Sequence, residues 1–99
     1  MRLTEAQSAA IKHIVSNLVG SESQVWLFGS RVDDTKRGGD IDLLIETDKI
    51  IPNRVALLCQ LEAQLIMRLG ERKIDVLLKD ARTKTAPIHR VAHEQGMRL

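Results

Sequence analysis

Apolar and polar positions along this chain of 99 residues follow two different rhythms. From Ala6 the apolar positions recur every three or four residues through Ala9, Ala10, Ile14 and Leu18, the period of one helix face. Thr4 supplies an N-cap hydroxyl and Gln7 completes a capping box, so the pattern predicts a helix of about four turns that Gly20 stops. Residues 24–28 (QVWLF) are short and mostly apolar, as a buried strand requires, and residues 40–46 predict a second strand. Between them the sequence suggests a short helix over 30–34 and a basic, glycine-containing loop over 35–39. The helical period returns over 52–69, with Pro52 at the first position, a buried stripe of Val55, Leu58, Leu61, Leu65 and Leu69, and Gly70 as the stop. Residues 73–79 (KIDVLLK) predict a third strand. Thr85 and Pro87 open a last helix that ends at Gly96 and packs Pro87, Ile88, Val91 and Ala92 on the sheet. Helices and strands that alternate in this order predict an α/β (α+β) fold. It would be a small mixed sheet flanked by helices, in a single domain over residues 1–99.

Composition narrows the function classes. Hydrophobic residues at 43% and charged residues at 28% are ordinary for a globular protein and exclude a disordered chain. Fifteen basic against thirteen acidic side chains are too evenly balanced to argue for nucleic-acid binding. Trp26 and Phe28 are the only aromatics, too few for a base-stacking platform, so no direct contact with nucleic acid is expected. The lone Cys59 excludes an internal disulfide and fits a reducing compartment; its apolar helical setting predicts a packed thiol. No apolar run approaches the ~20 residues of a membrane span, and the start MRLTEAQSAA lacks the layout of a secretory signal. A cytoplasmic protein without membrane contact is the expectation.

The candidate chemistry lies in WLFGSRVDDTKRGGDIDLLIE, residues 26–46. Alternate strand residues point to opposite faces, so Asp40 and Asp42 share one side while Ile41 and Leu43 share the other. Asp75, between Ile74 and Val76, repeats the situation in the third strand. Three carboxylates on neighbouring strands would repel one another unless a cation sat among them. Hard carboxylate oxygens suit Mg²⁺ completed by substrate phosphates. His13, His89 and His93 share no spacing with these aspartates, which speaks against zinc. Gly29-Ser30, between a strand and a helix, would let backbone N–H groups and a hydroxyl approach a phosphate. Each piece has a bland reading: Asp-x-Asp can pair with Lys36 or Arg37, and Gly-Ser can be turn geometry. Together they place a phosphate cradle beside metal ligands.

The combination resembles the nucleotidyltransferase (DNA polymerase beta-like) superfamily. Its signature is Gly-Ser, a short spacer, Asp-x-Asp and a third carboxylate on a later strand, matched here by Gly29-Ser30, Asp40-Ile41-Asp42 and Asp75. Phe28-Gly29-Ser30-Arg31 with Asp40-Ile41-Asp42-Leu43-Leu44 looks most like the minimal nucleotidyltransferase (MNT) antitoxins of HEPN–MNT toxin–antitoxin systems, and the resemblance covers about residues 5–80. It implies a nucleotidyltransferase fold and transfer of AMP from ATP, releasing pyrophosphate. Asp40, Asp42 and Asp75 would be the catalytic carboxylates and the ligands of two Mg²⁺ ions; Gly29, Ser30 and Arg31 would bind the nucleotide. The implied acceptor is a tyrosine hydroxyl on a cognate HEPN ribonuclease toxin, held in a hetero-oligomer. Gly39 stands where family members often carry serine, and Val32 and Asp33 where small residues are common; these departures touch substrate detail and leave the carboxylates intact. Two alternatives stay open: a module of the same fold that neutralises its partner by contact, and a transferase acting on a small molecule or an RNA end.

Overall fold

The computed structural model describes residues 4–28, 41–70 and 74–99. Its elements in chain order are α1 (Glu5–Leu18), β1 (Gln24–Phe28), β2 (Ile41–Glu46), α2 (Arg54–Leu69), β3 (Ile74–Lys79), α3 (Pro87–Gln95) and β4 (Met97–Arg98). The strands form one mixed sheet in the order β3-β2-β1-β4. β1 runs antiparallel to β2 and to β4, while β2 and β3 are parallel and joined by α2 as the crossover. This is the α+β architecture that the alternating pattern predicts.

Local chemistry sets most boundaries. The Thr4 N–H donates to Gln7 Oε1 at 2.9 Å and the Gln7 N–H donates to Thr4 Oγ1 at 3.1 Å, so the capping box of α1 is complete. Gly20, at φ +137°, turns the chain out of the helix in a conformation that other residues rarely adopt. α2 starts later than the proline suggests. Asn53 Oδ1 accepts the Ala56 N–H at 3.1 Å and makes Asn53 the N-cap, which leaves Pro52 outside the helix. The short helix and loop expected over 30–39, and the first residue of each of the two later strands, lie outside the described residues.

The sheet is covered unequally. On one face Val25, Leu27, Ile41, Leu43, Ile45, Ile74 and Leu78 meet Ile11, Ile14 and Val15 of α1 and Leu61, Leu65 and Leu69 of α2 in the main core. Each fully buried leucine or isoleucine there contributes about 1.5–3 kcal/mol. On the opposite face a small cluster of Phe28, Leu44 and Ala92, with Trp26 and Leu77 partly buried against it, lies under α3.

Two expectations for α2 are corrected. Val55 is 71% exposed rather than part of the buried stripe, and Cys59 is exposed rather than packed. α2 carries more apolar residues than one face can bury; Leu61, Leu65 and Leu69 take the side against the sheet, and Val55 and Cys59 fall on the other. In α3 the buried positions are His89 and Ala92, while Ile88 and Val91 stay partly exposed. β4 is an addition that no pattern announced: the Leu99 N–H donates to Val25 O at 2.9 Å and extends pairing along β1. Gly96 permits this close approach, since a Cβ there would fall 2.7 Å from Leu27 O. Among the described residues no helix is long and apolar enough to cross a membrane.

Candidate active site

The parallel register of β2 and β3 pairs Asp42 directly with Asp75. Both follow the strand alternation onto the face opposite the main core, on strands about 4.8 Å apart. Asp42 is half-buried and Asp75 exposed. On the other side of Asp42 lies Phe28, the last residue of β1. The two carboxylates thus occupy the starts of β2 and β3, with the end of β1 beside Asp42.

Of the sequence-derived site residues, the fold therefore brings Asp42 and Asp75 together. Gly29, Ser30, Arg31 and Asp40 lie outside the described residues, although Gly29 follows in sequence the strand end that faces Asp42. Two carboxylates opposite each other on one face destabilise a sheet when nothing offsets their charge. Among the described residues nothing hydrogen-bonds or ion-pairs with the Asp75 side chain. No described group of three or more histidine, cysteine, aspartate or glutamate side chains could hold a metal ion. The pair fits a divalent cation by chemistry instead: two hard oxygen donors at directly paired positions of neighbouring strands.

The far end of the same face is built differently. Glu46 and Lys79 are register neighbours of opposite charge. Glu46 Oε1 accepts the Trp26 Nε1–H at 3.0 Å and lies 2.6 Å from His93 Nε2, whose ring sits 4.8 Å from the indole. This cluster fastens the last turn of α3 to the sheet. His89 turns inward, and its Nδ1 accepts the Ala86 N–H at 3.0 Å, which leaves the ring proton on Nε2. Burial, followed by the positive charge of Lys79, holds its pKa below the usual histidine value.

A third polar cluster locks the loop after β3. Asp80 is buried and accepts the Ile51 N–H at 3.0 Å, the Arg82 N–H at 3.1 Å and the Thr83 hydroxyl at 2.8 Å, with Arg54 Nη1 at 3.2 Å. These bonds, the one from Ile51 foremost, lower its pKa to about 2. Periodicity gave no sign of this staple, although Asp80-x-x-Thr83 is a turn pattern that could have been read as one.

The decisive comparison is with known families. A model of the nucleotidyltransferase domain matches residues 9–92, which include both Asp42 and Asp75. The chain belongs to that family. No curated protein matches this nucleotidyltransferase. Domains of this family generally take a nucleoside triphosphate and divalent metal ions, and nucleotidyl transfer is their reaction class.

Proposed function

We propose that this nucleotidyltransferase moves AMP from ATP to a tyrosine hydroxyl of a cognate HEPN ribonuclease toxin, and so acts as a cytoplasmic antitoxin of the MNT type. The observation that carries the reading is the pairing of Asp42 with Asp75 on the sheet face opposite the main core, in a domain of the transferase family. The Gly29-Ser30 and Asp40-x-Asp42 spacing supports it from the sequence. The likeness of Phe28-Gly29-Ser30-Arg31 and Asp40-Ile41-Asp42-Leu43-Leu44 to the MNT antitoxins favours an acceptor supplied by a partner chain in a hetero-oligomer.

In this reading Asp42 and Asp75, with Asp40, hold Mg²⁺, which when bound supplies positive charge to the α-phosphate and the departing pyrophosphate. Asp42 and Asp75 fix where that charge sits, because each is set on a paired strand rather than on a loop. Asp75 is the exposed member and faces the side from which an acceptor arrives, so it orients the attacking hydroxyl and takes up its proton. Gly29 and Ser30 bind the β- and γ-phosphates, and Arg31 neutralises part of their charge.

Incubation of α-labelled ATP and Mg²⁺ with the co-purified partner tests this, with Asp42→Asn as the control. The expected outcome is label on the partner that the substitution abolishes while binding persists. Inhibition of the partner without any label, equal in wild type and Asp42→Asn, would instead make the protein an antitoxin that works by contact.

A further inference from the structure

β3 is an edge strand, and its hydrogen-bonding directions can be read from its ends. The Thr47 N–H donates to Lys79 O at 3.0 Å, so the main-chain groups of Lys79 point toward β2. Both groups of a residue in a parallel ladder point the same way and successive residues alternate. Leu77 and Asp75 therefore also face β2, while Leu78, Val76 and Ile74 face outward. The bond from Arg54 Nη2 to Leu78 O agrees, because that carbonyl is reached from the outer side. Arg54 thus closes the edge at its far end. Among the described residues nothing bonds the outward N–H and C=O of Val76.

Proteins usually block such edges with proline, bulges or covering elements. Among the described residues the block stops at Leu78, and the positions left open, Ile74 and Val76, flank Asp75. We propose that the outer edge of β3, at Ile74 and Val76, receives an extended segment of the acceptor protein as an added strand, with its hydroxyl residue on the face that carries Asp75 and Asp42. This rests on the protein-acceptor reading above and deepens it. Main-chain bonds to Val76 hold the segment, and strand alternation delivers every second side chain to the carboxylate face. Leu77, half-buried on that face, provides an apolar contact beside the arriving side chain. A second copy of the chain fits less well: an open run of three residues, capped by Arg54, buries far less than the ~1,200 Å² of a stable interface.

The test is amide hydrogen exchange of the free chain, with and without a short acetylated peptide of alternating valine and threonine around a central tyrosine. Fast exchange at Val76 that slows tenfold or more with saturating peptide is the expected result. The variant Val76→Pro removes an outward N–H, which an edge strand tolerates, along with part of a half-buried side chain at the margin of the main core. It is expected to keep the fold by circular dichroism and lose both peptide binding and label transfer to the partner. Slow exchange at Val76 in the free monomer, or full transfer to the partner by folded Val76→Pro, would overturn the edge. Protection that appears only with dimerisation would reassign it to a second copy and overturn the proposal too. Peptide bound at Val76 with no label on any acceptor would leave the edge standing and count against the transferase reading instead.

Discussion

The two faces of the sheet are covered in different ways. One lies beneath two long helices, and its strand residues, Leu27, Ile41, Leu43 and Ile45 among them, are fully enclosed or nearly so. The other carries nine-residue α3 over part of its area, held by Ala92, His89 and the Glu46 cluster, and leaves Asp42 half-buried and Asp75 exposed. The same strands build both, since alternation sends Leu43 one way and Asp42 the other. The closed face contributes stability and the open face is free to hold groups, such as paired carboxylates, that stability alone would not select.

The sharpest way to break this division is at its closed side. Leu65→Ala is expected to cost about 2–5 kcal/mol in chemical denaturation, because a fully buried side chain leaves a cavity between α2 and the sheet. On the open side Asp75→Asn is expected to lower transfer by on the order of 100-fold, about 2.7 kcal/mol in the barrier. Its melting temperature should stay level or rise, since a like-charge neighbour of Asp42 is removed. A marked loss of stability in Asp75→Asn would erase the distinction between the faces. Gly96→Ala probes the seam where α3 meets β1 and is expected to cost about 1–3 kcal/mol, as a new Cβ presses on Leu27 O.

The polar groups give the comparison a pH axis. The pKa of His89 is lowered in the fold, so below its unfolded value of about 6.5 the unfolded chain binds the extra proton and stability falls as pH falls. Asp80 follows at lower pH. Its carboxylate is held down to about 2, so its contribution is complete above the ordinary aspartate range and disappears between roughly pH 4 and 2. Urea midpoints from pH 8 to 3 should therefore fall in two stages, the first absent in a folded His89→Gln variant. The smallest effect is expected at Cys59→Ser, within about 0.5 kcal/mol, because the thiol is exposed.

The sequence rhythm located the elements well where one apolar face exists. α1, with its complete capping box, and β1 match the reading. α2 shows where rhythm fails: Val55 and Leu58 are both apolar at helical spacing, and periodicity cannot say which of two apolar sides meets the sheet. Asn53 outcompeted Pro52 as the start because a side-chain acceptor satisfies a helical N–H, whereas proline only fits the first turn. β4 is two residues long, too short to carry any period, and its pairing depends on Gly96. For the site, alternation put Asp42 and Asp75 on their strands, but only the parallel register of β2 and β3 makes them neighbours. The Trp26–Glu46–His93 cluster, and the bonds of Asp80 to Ile51 and Arg54, join residues far apart in the chain, which no local pattern reports.

Trp26 has one more use. The chain contains a single tryptophan and no tyrosine, so ultraviolet emission comes from one indole, whose N–H is bonded to Glu46 and whose ring lies against His93. Lifting α3 would remove His93 and open that ring to water, while leaving the main core on the other side of the sheet in place. The protein therefore carries its own optical gauge of whether the smaller cover is seated, readable without any label.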